Sequence, residues 1–274
     1  VRALLLGHPV GHSLSPAIQN AAFRALGLPH EYAARDVAPE DLAHALLDLR
    51  QPDCLGANVT VPYKLAVVST LDAVDADATA TGAVNTIVNT GGRLSGYNTD
   101  VDGAWEGLLA PVVDAIREAK VLVIGAGGGA RAVLLALSRS LPRGPSAVSV
   151  VARRTDEAEA TAALGSDSGL AARPVPWWEL GDELRTSAVV INCTPLGLRG
   201  EDPLEGAPLE GRTVLDLAYS PGGTPLFRRA WKEGSMALQG DQMLLQQGAL
   251  AFTLWTNQPA PVAAMRAALH AALT

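Results

Sequence analysis

Apolar and polar positions along this chain fall into blocks whose period changes. Ala3 to Gly7 is a short apolar run of the kind a buried strand shows, and Ile18, Ala21, Ala22, Ala25 and Leu26 then recur at helical spacing up to Gly27. Ser15-Pro16 opens that helix, because a serine hydroxyl can cap free N–H groups and proline is pre-set for the first helical position. Leu42, Ala45, Leu46 and Leu49 predict a second helix after Pro39, and Leu55 to Val59 a strand ending in polar residues. Ala83 to Asn89, the Gly91-Gly92 turn and Arg93 to Tyr97 read as a hairpin, which adds antiparallel strands to an otherwise parallel layer.

A helix is expected from about Thr99 towards Leu109, after which the strand–helix pattern restarts. Lys120 to Ile124 is a buried strand, Gly125 to Ala130 a glycine-rich turn, Arg131 to Ser138 a helix and Ala147 to Val151 a further strand. Val189 to Cys193 and Thr213 to Leu217 supply two more. The last part of the chain is helical, with a break near Gln258 to Pro261. The pattern predicts an α/β chain of two units, the first with a mixed sheet and the second a doubly wound parallel sheet.

Composition narrows the function classes. With 274 residues, 48% of them hydrophobic, the chain can bury a sizeable core, and a formal charge of −7 argues against a nucleic-acid partner. Cys54 and Cys193 are too few and too far apart for a disulfide framework or a zinc site, and are expected to be buried small apolar residues. No metal site is expected. The opening VRALLLGHPVGHS lacks the apolar run of a signal peptide and no long apolar span occurs, so the expectation is a cytoplasmic protein without a membrane partner. The native start residue is left open, since the first residue is Val.

The second unit carries the clearest binding motif. Gly125-Ala126-Gly127-Gly128-Gly129-Ala130 follows the strand VLVI and runs into a helix, the setting in which small residues let a backbone approach a pyrophosphate. A tight ligand-free turn is the alternative. The next strand ends in Ala152-Arg153-Arg154-Thr155, with no acidic residue to accept from a ribose 2'-hydroxyl and with two guanidinium groups that suit a 2'-phosphate. NADP is therefore expected over NAD. Asn192-Cys193-Thr194-Pro195 ends a later strand of the same unit, and strand ends of a doubly wound sheet line the ligand crevice.

In the first unit three polar clusters stand at the ends of apolar elements. Ser13 and Ser15 lie two residues apart; Asn58, Thr60 and Lys64 surround what reads as a helix start; Asn98-Thr99-Asp100 follows Asn85-Thr86 across the hairpin. Such groups suit a small ligand with several hydroxyls and a carboxylate. The alternatives are structural: Ser15 and Thr99 as helix caps, Asn58 and Asn85 as turn residues, Lys64 with Asp100 as a surface ion pair. Oxidation of an alcohol by hydride loss requires the hydroxyl proton to leave, and Lys64 with Asp100 is the candidate proton-handling unit, which of the two holds the proton being open.

These residues, in this order, resemble the shikimate dehydrogenase family. GHPVGHSLSPAIQNAAF is similar to its substrate-binding opening, GANVTVPYK to its catalytic-lysine segment, GAVNTIV and GYNTDVDG to the next two signatures, GAGGGARAV to its nucleotide turn and MLLQQGALAFTLW to its C-terminal helix. The resemblance runs from about Leu4 to Trp255 and implies two domains. One is an N-terminal substrate domain, residues 1–100 plus 240–274, with the C-terminal helices packed back on it; the other is a Rossmann-type NADP-binding domain, residues 101–239.

What it implies chemically is NADPH-dependent reduction of 3-dehydroshikimate to shikimate, in the pathway to the aromatic amino acids. Substrate contacts carried over are Ser13, Ser15, Asn58, Thr60, Lys64, Asn85, Asp100, Tyr219 and Gln247. Gly240 and Met243 join the cofactor set. Two segments depart from the family pattern: Arg153 stands where it has Asn, and Asp241-Gln242 where it has small or apolar residues. Two other readings stay open, a quinate/shikimate dehydrogenase using NAD or NADP and a non-catalytic NADP-binding regulator. A homodimer is the assembly entertained.

Overall fold

A computed structural model describes residues 1–274, which divide into two compact units, Val1–Thr99 with Leu244–Thr274, and Asp100–Met243. In the first, β1 (Arg2–Gly7) leads through α1 (Ser15–Ala25) to β2 (Glu31–Asp36), and α2 (Leu42–Asp48) to β3 (Cys54–Val59). The short β4 (Ala73–Val74) and α3 (Ala76–Thr81) precede the hairpin of β5 (Thr86–Thr90) and β6 (Arg93–Tyr97). The sheet order is β2-β1-β3-β5-β6-β4. Strands β1, β2 and β3 are parallel and β5 is antiparallel to both β3 and β6, the mixed sheet expected of the unit.

Several local expectations are corrected. Ser15 does not cap α1: Leu14 occupies the cap position and Ser15 is the first helical residue, its N–H accepted by Ser13 Oγ at 3.2 Å. Strand β5 begins at Thr86 rather than Ala83, because Thr81 Oγ1 accepts the N–H of Ala83 and Val84 donates to Lys64 O at 2.7 Å, which takes these residues out of the ladder. Lys64 does not start a helix. The chain after Pro62 is a run of turns reaching only a single tight turn at Val68–Thr70.

The second unit holds α4 (Asp100–Ala104), α5 (Val113–Ile116), β7 (Lys120–Ile124), α6 (Gly128–Ser138), β8 (Ala147–Ala152) and α7 (Thr155–Asp167). It continues with β9 (Ala172–Pro176), α8 (Leu180–Thr186), β10 (Val189–Asn192), β11 (Thr213–Asp216), α9 (Pro225–Lys232) and β12 (Met236–Gln239). All six strands are parallel, in the order β12-β11-β10-β7-β8-β9. Successive residues of β7 point to opposite cores. Val121 and Val123 pack with Leu134 and Leu137 of α6, while Leu122 and Ile124 pack with Leu184 of α8 and Leu226 of α9. A strand covered on both faces must be apolar throughout, which is why VLVI and VVI carry no alternation.

The expected helix from Thr99 to Leu109 is α-helical only over α4 and then widens to a π turn at Trp105–Leu109. A Cβ at Gly107 would lie 2.5 Å from the backbone N of Met243, so this turn packs closely against the backbone at the start of the helix Asp241–Thr256. Helix α6 starts at Gly128, three residues before the expected Arg131, because the glycine run itself adopts the first helical turn. Helices α10 (Asp241–Thr256) and α11 (Val262–Leu273) end the chain, and α11 packs against α1 within the first unit. No helix is long and apolar enough to cross a membrane.

Candidate functional site

Within the first unit the polar residues at the strand ends form one buried hydrogen-bonded cluster. Asn58, at 4% exposure, donates through Nδ2 to Asn85 O (3.2 Å) and Thr86 Oγ1 (3.0 Å). Asn85 donates to Thr99 Oγ1 at 2.9 Å and to Gln247 Oε1 at 3.3 Å, and accepts at Oδ1 from Thr99 N at 2.8 Å and Thr86 Oγ1 at 3.0 Å. Gln247 also donates to Leu244 O of its own helix at 2.9 Å. These contacts exclude the turn-residue reading of Asn58, which lies inside β3. Buried amides that satisfy one another in this way hold fixed orientations, since a lost partner leaves an unpaired polar group out of water.

The remaining substrate-side candidates lie at other strand and helix ends. Ser13 Oγ and Ser15 Oγ are 3.1 Å apart, with Ser15 buried and Ser13 half-buried. Thr60 follows β3, its N–H bonded to Leu6 O at 2.9 Å and its carbonyl accepting from Tyr63 N at 2.9 Å. Gly7 permits this approach: a Cβ there would lie 2.4 Å from Thr60 Cγ2. Lys64 is half-buried and its carbonyl is tied to Val84, which anchors the backbone beneath its side chain. Asp100, the first residue of α4 and of the second unit, is 5% exposed, and that burial excludes the reading of it as a member of a surface ion pair.

In the second unit the ends of β7, β8, β10 and β11 carry the cofactor candidates. Gly125, at φ +107°, makes the turn after β7, a backbone state that disfavours any side chain, and its N–H is accepted by Val151 O at 2.8 Å. Ala126 O accepts from Thr161 Oγ1 of α7 at 3.1 Å. Gly127 occupies the cap position of α6 without a capping side chain, and a Cβ there would meet nothing within 4 Å. Uncapped N–H groups behind an open glycine fit a pyrophosphate. Gly129 and Ala130 continue the first turn, with Ala130 fully buried.

The adenosine-side candidates Arg153, Arg154 and Thr155 are all exposed at the junction of β8 and α7, where Arg154 pairs with Glu157 one turn on. Asn192, fully buried, accepts at Oδ1 from Thr194 N (3.0 Å) and Thr194 Oγ1 (2.7 Å), which shapes the Thr194-Pro195 loop. Asn192 Nδ2 donates to Asp216 Oδ1 at 2.8 Å, and Asp216 Oδ2 accepts from Thr224 Oγ1 at 2.6 Å. Burial pushes the Asp216 carboxyl up to about 6, the hydrogen bonds offsetting only part of the desolvation. Cys54 is buried as expected, whereas Cys193, beside Asp216, is only half-buried; desolvation raises both thiols.

Gly240 lies where β12 ends, and a Cβ there would come 2.0 Å from Leu217 O. Met243 is buried and belongs to the same apolar cluster as α6. Asp241 and Gln242, foreign to the family pattern, bond to each other at 2.8 Å and leave the helix start regular. Tyr219 follows β11 and is half-buried.

Residues 5–87 match the family model described as the shikimate dehydrogenase substrate binding domain, and residues 242–270 that of the shikimate 5'-dehydrogenase C-terminal domain. Over 276 aligned residues the chain is 45% identical to the shikimate dehydrogenase (NADP(+)) of Salinibacter ruber, covering 97% of this chain and 96% of the relative. The chain belongs to the shikimate dehydrogenase family. Among solved structures, the shikimate 5-dehydrogenase of Thermus thermophilus in complex with NADP(H) and shikimate matches with a TM-score of 0.83 at 37% identity, covering 99% of each chain. The quinate dehydrogenase of Corynebacterium glutamicum in complex with NAD matches with a TM-score of 0.85 at 29% identity, again over 99% of each chain. The α/β class with its mixed and parallel sheets stands as expected for the family.

Sequence reasoning missed two buried groups that hydrogen-bond candidate residues, Tyr32 to Asn58 and Asp216 to Asn192. Tyr32 lies on β2, whose residues EYAARD alternate too weakly to mark a strand, yet its hydroxyl donates to Asn58 at 2.8 Å. Asp216 ends the apolar strand TVLD, and a carboxyl closing a buried strand in an α/β sheet was the available signal.

Proposed function

We propose that this chain catalyses the reversible, NADP-dependent interconversion of 3-dehydroshikimate and shikimate, in the cytoplasm, as a step towards the aromatic amino acids. The observation that carries the reading is the buried amide and hydroxyl cluster of Asn58, Asn85, Thr86, Thr99 and Gln247, in which Asn58 stands six residues before Lys64 in the chain and Thr99 directly precedes Asp100. A substrate with several ring hydroxyls needs donors and acceptors held in fixed orientations, and this cluster supplies them. Its chemistry matches what the names of the relatives state.

The first unit is assigned the substrate and the second the dinucleotide. Ser13 and Ser15 bind the substrate carboxylate, with Tyr219 as a further contact; Asn58, Thr60, Asn85 and Gln247 read its hydroxyls. When bound, NADPH supplies the hydride to the ring carbonyl carbon. Lys64 Nζ gives a proton to the carbonyl oxygen in reduction and takes it back in oxidation, with Asp100 as the other member of the proton-handling pair. Gly125, Ala126, Gly127, Gly128, Gly129 and Ala130 receive the pyrophosphate, Arg153, Arg154 and Thr155 the 2'-phosphate, and Asn192, Thr194, Pro195, Gly240 and Met243 flank the nicotinamide.

One observation favours a second reading, the close fold match to a quinate dehydrogenase bound to NAD. Nicotinamide absorbance with shikimate or quinate, each given NADP or NAD, separates the two. Turnover confined to shikimate with NADP supports the proposal. Preference for quinate or NAD moves the chain to the second reading, and binding of NADP without turnover would leave a regulatory protein.

A further inference from the structure

Asn58 has almost no hydrogen-bonding capacity left for a ligand. A side-chain amide offers two N–H donors and two acceptor lone pairs. Both donors are committed internally, to Asn85 O at 3.2 Å and Thr86 Oγ1 at 3.0 Å, and one lone pair of Oδ1 accepts the hydroxyl of Tyr32 at 2.8 Å. What remains is a single lone pair on Oδ1, so Asn58 can meet a substrate only as an acceptor, from a hydroxyl that donates.

Tyr32 is built to hold that lone pair in place. It sits on the edge strand β2, where Asn20 of α1 clamps its backbone from the open side, Nδ2 donating to Tyr32 O at 2.8 Å and Oδ1 accepting from Tyr32 N at 2.9 Å. Its ring lies against Trp255, centroids 5.9 Å apart, and Trp255 is itself anchored by Nε1 donating to Ile87 O at 3.0 Å. The side chain is 2% exposed. A ring fixed by backbone, a tilted ring contact and burial delivers its hydroxyl to one point, and that point is Asn58 Oδ1.

We infer that Tyr32 is a positioning residue for substrate recognition, orienting Asn58 so that its one spare lone pair receives a substrate hydroxyl. The inference rests on the assignment of Asn58 to the substrate given above. Asn85 O on one side and the Tyr32 hydroxyl on the other leave the amide neither free to turn over nor to tilt. Without the hydroxyl, Oδ1 keeps its location but loses the contact that sets its direction, and the substrate must order it.

The test is Tyr32→Phe, which removes the hydroxyl and keeps the ring, measured beside Asn58→Ala and the double variant. Loss of one orienting hydrogen bond should raise the KM for shikimate about 3- to 10-fold, with the NADP KM unmoved and the loss falling on KM rather than kcat. In the double variant Tyr32→Phe should add nothing to the effect of Asn58→Ala, because there is no amide left to orient. A Tyr32→Phe enzyme with the wild-type shikimate KM, or one whose effect adds in full to that of Asn58→Ala, overturns the inference; a lowered Tm with unchanged KM marks a merely structural tyrosine. Wild-type protein turning over neither shikimate nor quinate sinks the functional reading itself, and the role of Tyr32 with it, an outcome distinct from active wild type with an indifferent variant.

Discussion

Gln247 Oε1 accepts a hydrogen bond from Asn85 Nδ2 at 3.3 Å, joining residues 162 positions apart in the chain. Helix α10 thereby closes the polar cluster that the hairpin and β3 begin. Gln247→Ala should raise the shikimate KM about tenfold and lower stability by about 1 kcal/mol, as expected when a buried amide loses its acceptor. Steady-state kinetics and urea unfolding of the same preparation check both, and an unchanged KM would reduce Gln247 to a packing role.

Lys64→Ala should lower kcat by about 10²-fold or more with a smaller effect on KM, the pattern of a lost acid/base group. Lys64 stands in a turn whose backbone is tied to Val84, so the change should leave thermal stability within the range of ordinary surface substitutions. Retained kcat would remove Lys64 from the proton transfer.

Arg154 pairs with Glu157 across one helical turn, with 71% of its side chain exposed. An exposed pair of this kind is worth little, so a 2'-phosphate can displace the carboxylate at small cost. Arg154→Ala is expected to weaken NADP about tenfold while NAD is nearly unaffected, and fluorescence titration with each dinucleotide measures it. An equal loss for both would refute the 2'-phosphate assignment.

The carboxyl of Asp216, raised to about 6 by burial, makes stability depend on pH in a definite direction. A folded-state value above the unfolded one means its contribution is complete below the ordinary carboxylate range and is lost as pH rises through about 6. Asn mimics the protonated acid and does not titrate. Asp216→Asn should therefore gain stability relative to wild type between about pH 4.5 and about pH 7.5, by roughly 2 kcal/mol for a shift of this size. Denaturant unfolding of both proteins at the two pH values tests this, and a constant difference would show that Asp216 is not held protonated.

Much of the molecule can be read along the chain because it depends on near neighbours. Strand β7 and the turn at Gly125 are local: an apolar run needs burial on both faces, and a backbone at φ +107° needs glycine. Arg153-Arg154-Thr155 stands at a set distance after that turn, so its place follows once the two strands are known. The order of polar clusters, from Ser13 to Asp100, already marks a ligand with many hydroxyls and the family to which the chain belongs.

What near neighbours cannot express is which distant groups satisfy one another. Nothing in EYAARD says that Tyr32 will reach Asn58, nor does an apolar helix announce that Gln247 will turn inwards to Asn85. Those pairings follow from sheet register and from the docking of α10 and α11 on α1, where each buried amide must find a partner or carry the cost of desolvation. The turn at Lys64, which reads locally as a helix start, is likewise settled by the distant N–H of Val84. Chain-local chemistry therefore specifies the types of group the protein offers, and long-range hydrogen bonding out of water specifies their number, direction and remaining capacity.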